Sequence, residues 1–486
     1  MKRLRSACLA ILLGFTLLGS ALIAAEPLRP SHQSAIADVT ARQAELNAVN
    51  KAIWEFAEVG LEETRSSALL VEKLKGAGFK VRTGIADMPT AFVAEFGSGK
   101  PVIGILAEYD ALPGLSQKVS HERDAVADDA PGHGCGHSGL GTGALGAALA
   151  VKAGMEKHKL PGTIRLYGTP AEETLIGKVY MTLAGEFKGL DACLHWHPGG
   201  RNDVWNGESK AAVSVKFIFS GVTAHASGSP DKGRSALDGV ELMNVGANFM
   251  REHLKEDARV HYVITNGGGA PNVVPAKATV WYYVRANSHA DVERNFAWLK
   301  DIAEGAAKMS RTTVSVQIDT DCHEIIPNDP LAALLQANLE RVGPPKFTPE
   351  EHTFARRLQE SVTREFGTVF KLALDEEVHR TTRLGGGSGS TDVGDISWHV
   401  PTCGLRTACF ASDAPGHSWQ NVAAIGSTIG EKGTAYAAKV LACTTLDLLE
   451  DPRALAAAKA DFAKRMEDRK YVTLIPEGQK APKSIR

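Results

Sequence analysis

The stretch Gly132-His133-Gly134-Cys135-Gly136-His137 sets a thiol and an imidazole two residues apart among glycines, just before a helical pattern. Glycine lets a backbone turn tightly or left-handed, so Cys135 and His137 can aim at one point. A helix N-terminus lowers a thiol pKa and would favour the thiolate that a metal needs. The plainer reading is a redox or merely buried cysteine. Glu172-Glu173 adds weight to a metal, because two adjacent carboxylates are costly to bury without a cation. A metal would take Glu173 and leave Glu172 free as a general base toward activated water. An isolated Glu-Glu pair is more commonly a solvated turn, but this one follows an apolar strand and Thr169-Pro170. His195 and His197 flank Trp196; His197, at the loop edge, is the better ligand, and His195 supports it or packs. His417 lies in a further glycine-supported loop, Ala414-Pro415-Gly416-His417-Ser418. Thiolate, imidazole and carboxylate together suit zinc, with manganese or cobalt open.

Positioning these groups requires an ordered frame. Short apolar runs at Val102–Leu106, Ile164–Tyr167, Ala192–Leu194 and Leu405–Phe410 read as buried strands, each running into one of the polar segments. Leu140–Lys152, rich in Ala, Gly and Leu, reads as a helix packed closely on a sheet. Strands separated by helices predict an α/β fold, a mostly parallel sheet with helices on both faces. Ligand sites in such sheets gather beyond the strands' carboxyl ends. The middle changes character: strand 213–219, helix 235–254, strands 260–265 and 278–285, helix 290–308 and strand 313–318. That β-α-β-β-α-β order predicts an inserted ferredoxin-like α+β unit, making the larger domain discontinuous: 26–212, then 213–322 inserted, then 323–486. Ser388–Asp392 reads as a loop near the site, and the last 15 or so residues as a surface tail.

The chain has 486 residues, 44% hydrophobic and 23% charged, with 54 basic and 56 acidic residues. That balance carries no basic stripe and gives no reason to expect nucleic-acid binding. Residues 1–25 read as a secretory leader: Lys2, Arg3 and Arg5 precede an apolar run, with cleavage expected after Ala24 or Ala25. An uncleaved anchor is the alternative, but Gly14 and Gly19 break a run that is short for a span of roughly 20 apolar residues. The expectation is an exported, periplasmic or secreted protein, free of the membrane after cleavage. Six cysteines then remain, too sparse for a disulfide scaffold; Cys403 and Cys409 could pair, though nothing demands it.

Several stretches together resemble the metallo-amidohydrolase and aminoacylase branch of the zinc aminopeptidase-carboxypeptidase-like enzymes. They are AEYDALPG (107–114), GHGCGH (132–137), TPAEET (169–174), HWHPG (195–199), SGVTAHAS (220–227), GGAPNVVP (268–275), GSTDVGDISW (389–398) and GHSWQ (416–420). Within that branch the chain is similar to a subgroup acting on p-aminobenzoyl-glutamate. The resemblance implies two divalent metal ions, zinc or manganese, held by Cys135, His137, Glu173, His197 and His417, with Cys135 bridging. It implies Glu172 as general base and Asp110 as the acid that steadies the metal site. His225, on the inserted unit, would reach a neighbouring subunit's site to stabilise the oxyanion. Asn272 and Arg285 would meet the substrate carboxylate or the tetrahedral intermediate, and the inserted unit would serve as lid and homodimer contact. Many aminopeptidase relatives carry histidine where this chain has Glu108, a histidine the thiolate subgroup also lacks, and many relatives carry Asp or Asn where it has Ser138. The expected activity is metal-dependent hydrolysis of a small N-acyl amino acid or dipeptide-like amide. The rivals are a thiol hydrolase built on Cys135 and a periplasmic binding protein.

Overall fold

The computed structural model describes residues 27–380 and 389–484; the leader at 1–25 and Ser388 lie outside them. The larger sheet contains β1 (Lys80–Thr83), β2 (Phe92–Ser98), β3 (Val102–Ala107), β4 (Gly162–Gly168), β5 (Ala192–Gly199) and β6 (Asn202–Trp205). The smaller contains β7 (Ala211–Ser220), β8 (Arg259–Asn266), β9 (Lys277–Ala286) and β10 (Thr313–Cys322), and the larger is completed by β11 (Val378–His379) and β12 (Thr402–Ala408). The eight-stranded order is β1-β2-β4-β3-β5-β12-β6-β11. Its centre, β4-β3-β5-β12, is wholly parallel, and antiparallel pairings appear only toward the rims.

Parallel strands are buried on both faces, and β3 shows it. Ile103, Ile105 and Ala107 face one core, and Leu106 faces the other. The helix His137–His158 runs along the first face beside Thr428–Glu450. Its small residues permit this close approach: a Cβ on Gly143 would lie 2.6 Å from the Trp196 ring. The sequence reading of an α/β frame with an inserted α+β unit therefore describes the observed architecture. It ended the third strand at Leu194, whereas β5 continues through His195 and His197 to Gly199, because pairing with β12 persists over that length.

The smaller sheet is ordered β10-β7-β9-β8. Helices Ala236–Arg251 and His289–Ser310 cover one of its faces, each starting at a serine whose side chain accepts from a backbone N–H. Along β9, Ala278, Val280, Tyr282, Val284 and Ala286 are buried on that face. The alternate residues, including Trp281, Tyr283 and Arg285, point to the other.

The C-terminal segment corrects the reading of a surface tail. The Leu474 amide donates to Asp321 (2.6 Å), Tyr471 Oη to Asp395 (2.7 Å), and Gln479 Nε2 to the Ile318 carbonyl (2.7 Å). Ile475 is buried. Donors from one backbone amide and two side chains, met by acceptors distant in sequence, made this strap invisible to a composition argument. Asp321 also pairs with His289 Nε2 (2.8 Å). Burial pulls the His289 pKa down, but the hydrogen bond and charge of Asp321 outweigh it and hold the imidazole above its ordinary value. A raised pKa contributes stability that is complete below the unfolded value of about 6.5 and disappears as pH rises through the folded one. Thermal melts from pH 6 to 9 should show this decline, and His289→Gln should remove that part of the slope while lowering the melting temperature at pH 6.

Candidate metal centre

Each functional side chain is delivered by a strand end or an adjoining turn. Gly136, with φ 84°, turns the chain into the helix that begins at His137. A Cβ there would come within 2.9 Å of Phe410 and Pro198, so only glycine lets Cys135 and His137 project together. Glu172–Thr174 form one tight turn between Ala171 (φ 56°) and Leu175 (φ 61°), both left-handed. Such backbone is costly for side-chain-bearing residues and concentrates at functional sites. The turn is held from below: the Ala171 amide donates to Glu63 Oε1 (2.7 Å), and the Glu173 amide to Asp110 Oδ2 (2.9 Å). His417 is left-handed too, with φ 51°.

These elements converge on two groups of donors. In one, atoms of Cys135, His137 and His197 lie within 4.8 Å of one another; in the other, atoms of Cys135, Glu173 and His417 do. Cys135 belongs to both. Its Sγ is 3.3 Å from His197 Nε2, and His417 Nε2 is 3.3 Å from Glu173 Oε2. Asp110 Oδ1 pairs with His137 Nδ1 at 2.8 Å, which turns His137 Nε2 toward the first group. A third group, Glu108, His137 and Glu172, adjoins the first. His137 Nε2 lies 3.3 Å from Glu108 Oε2 and 3.9 Å from Glu172 Oε2.

The electrostatics show what is missing from the chain's own charges. Burial pushes the Cys135 thiol up, reinforced by Glu173. This overturns the expectation that the helix N-terminus would by itself favour a thiolate: desolvation dominates there. Burial likewise drives Glu172 well above the usual carboxylate range, with Glu108 adding to it, and raises Glu173 to about 7. His197 is lowered to about 4 by burial and then by His137, leaving a neutral imidazole suited to ligation. Glu108 Oε2, His137 Nε2 and Glu173 Oε1 are buried without a hydrogen bond. Orphaned polar atoms of this kind are costly, and divalent cations held among them would satisfy the whole set. The donors fit such ions.

The other anticipated residues fall elsewhere. Arg285 lies over the Tyr283 ring at 5.1 Å, its Nη1 is 3.4 Å from Ser390 Oγ, and its Nε is buried without a partner. Its charge helps to lower the His417 pKa, after burial and His137, so it lies within electrostatic reach of the centre. His225 and Asn272 are exposed on neighbouring loops joined by a His225–Val273 bridge, and neither belongs to a donor group. His195 packs: a Cβ on Gly404 would run into its ring, and Trp205 lies edge-on to it at 5.2 Å. Cys403 and Cys409 are both free thiols. Sequence reasoning missed Glu63, Glu108 and Lys178. For Lys178 the one signal to be had was a lone charge in the otherwise apolar GKVYMTL helix; for Glu63 there was none.

A mainly parallel α/β fold whose strand ends gather a shared thiol, imidazoles and a spare carboxylate defines a metal-dependent amide hydrolase. The chain belongs to peptidase family M20/M25/M40, whose sequence model matches residues 104–421. It is 40% identical over 453 residues to one of the subunits of p-aminobenzoyl-glutamate hydrolase from Escherichia coli (strain K12), covering 87% of this chain and 93% of that protein. It is 29% identical over 439 residues to a mouse (Mus musculus) Xaa-Arg dipeptidase, covering 87% and 90%. Among solved structures it is similar to the YXEP protein of Bacillus subtilis, a dinuclear metal-binding peptidase of the M20 family. That likeness has a TM-score of 0.55 at 17% identity, covering 85% of this chain and 99% of that one.

Because Cys135 is common to both groups and His417 to one, Cys135→Ala should deplete bound metal more deeply than His417→Ala. Elemental analysis of the purified, gel-filtered variants measures this. Equal losses would break the assignment of Cys135 as the shared donor.

Proposed function

We propose that the protein uses two divalent ions, zinc or manganese, to hydrolyse the amide bond of a small N-acyl amino acid or dipeptide-like compound of the p-aminobenzoyl-glutamate kind. The observation that carries this reading is the pair of donor groups sharing Cys135, with the unligated carboxylate of Glu172 beside them. Cys135, His137 and His197 would hold one ion, and Cys135, Glu173 and His417 the other. When bound, the ions acidify water and polarise the amide carbonyl.

Glu172 removes the proton from the attacking water and returns it to the leaving amine. Asp110 fixes the His137 tautomer through Nδ1, so that Nε2 ligates. Arg285, whose Nε is buried and unpaired, pairs with the substrate carboxylate, and Asn272 assists at the carboxylate or the tetrahedral intermediate. His225 accepts backbone N–H groups of Ser227 (3.2 Å) and Gly228 (3.0 Å) at Nδ1, which puts the neutral ring's proton on Nε2. That nitrogen is then a ready donor to an oxyanion.

His225 is exposed, and its role is completed by a second copy of the chain, whose centre it serves. The inserted unit, 213–322, would make the contact. Its edge strand β8 exposes Val263 and Ile264, and Phe249 on the adjoining helix is 70% exposed, which supports a covered face in a homodimer. With the leader at 1–25 removed, the mature enzyme works outside the cytoplasm, in the periplasm or secreted. No helix among the described residues is long and apolar enough to cross a membrane.

Glu172→Ala should lower kcat by about 10²–10⁴ with metal content unchanged; a variant turning over at the wild-type rate sinks the assignment of the base. The substrate class is read by assaying N-acyl amino acids, aminobenzoyl-glutamate and β-alanyl dipeptides, stripped of metal and then resupplied with zinc or manganese. Mixing inactive Glu172→Ala with inactive His225→Ala protein under subunit exchange should restore about a quarter of the activity. No recovery after demonstrated exchange would mean that His225 acts in its own chain or not at all.

A further inference from the structure

Beneath the centre lies a fully buried ion group that the hydrolytic steps do not use. Lys178 is 0% exposed, and its Nζ is 2.8 Å from Glu108 Oε1 and 2.6 Å from Asp392 Oδ1. The Lys178 amide also donates to Asp392 Oδ2 (2.8 Å). An isolated buried lysine is prohibitively costly, so Lys178 is anchored by Asp392 and in turn fixes one oxygen of Glu108. The other, Glu108 Oε2, is buried without a hydrogen bond, as is His137 Nε2 at 3.3 Å from it. A carboxylate with one oxygen committed to a lysine and the other left bare beside a ligand nitrogen has the arrangement of a metal ligand.

We propose that Glu108 Oε2 is a further ligand of the ion held by Cys135, His137 and His197, and that Lys178 and Asp392 are the positioning residues that aim it. Glu108 takes this ion's protein donors from three, the usual number at a catalytic site, to four, and a five-coordinate ion still admits an exchanging water. Its reach matters: the side chain spans from the end of β3 to both Lys178 and the His137 edge, and one methylene less could not serve both. Lys178 occupies Oε1, so Glu108 binds through a single oxygen and does not compete with Glu172 for the proton-transfer position.

This rests on the reading that the donor groups hold metal, and the experiment separates the two. Zinc is titrated back into stripped wild-type protein, Glu108→Gln and Glu108→Asp against a competing chromophoric chelator, with circular dichroism confirming the fold. If the wild type takes up no zinc, the metal reading itself fails. If it binds at two sites, both variants should weaken one site by at least ~10-fold and leave the other unchanged. The Asp variant is diagnostic, because it keeps the charge and the Lys178 partner and loses only the reach. Two-site binding of wild-type affinity in either folded variant overturns the proposal. Should Glu108→Gln fail to fold, the Asp variant decides alone.

Discussion

Everything in the larger unit answers to one constraint, the gathering of negative charge where water is excluded. Glu108, Asp110, Glu172 and Asp392 are buried together, with Glu173 and Cys135 just above them. Lys178 is the fixed cation embedded among them. With the chain's own charges, burial drives Glu172, Glu173 and Cys135 toward their neutral forms, whereas His137 and Lys178 hold Asp110 and Glu108 low against it. The site is thus split into carboxylates that are already compensated and donors that are not. The uncompensated ones are those aimed into the space between the strand ends. Divalent ions there would convert a destabilising cluster into the tightest part of the fold, which ties metal uptake to stability as well as to chemistry.

The parallel sheet makes such a cluster possible. Its members come from residues 108 to 417, and no local segment could assemble them. Four adjacent strands end together, and the segments beyond them are held in part by buried carboxylates, Glu63 and Asp110, that accept from the Glu172-Glu173 turn's backbone. Left-handed backbone at Ala171, Leu175 and His417 shows how little freedom those turns retain. Glu63 illustrates the support beneath: its oxygens bind the Ala171 amide and Thr90 Oγ1, so that the Glu172-Glu173 turn rests on a buried carboxylate from outside the sheet.

What the sequence made legible follows from this geometry. The donors Cys135, His137, Glu173, His197 and His417 stand beside glycines or prolines at the ends of apolar runs, and that local pattern can be read from a single chain. The period-two run at 213–219 and the order of elements after it announced the inserted unit in the same way. Lys178, Glu108 and Asp392 were not legible as a group. Their meaning lies in pairings across 70 and 214 residues, and each alone resembles an ordinary charged residue. The C-terminal strap was missed for a related reason: its lysines and prolines describe an exposed segment, whereas its amides reach Asp321 and its tyrosine reaches Asp395. The helix-terminus argument for Cys135 failed on magnitude, since a dipole of partial charge does not offset desolvation beside Glu173 and Glu172.

The division of the chain into two sheets also divides the problem of selectivity. The donor cluster recognises only a carbonyl and a nucleophile, so it treats amides alike. Discrimination has to come from surfaces that meet the rest of the substrate, and the smaller sheet's second face, half-buried along β9, carries aromatic side chains and a cation. Along β9 that face presents Trp281, Tyr283 and Arg285 in sequence. The Trp281 indole is fixed to Ser214 Oγ (2.7 Å), and Arg285 is stacked on Tyr283 with its Nε buried and unpaired. Aromatic side chains already held in place lose less freedom on meeting a ligand than flexible ones do. The metal donors are therefore a property of the larger sheet, whereas Arg285 and the aromatic side chains beside it belong to the smaller.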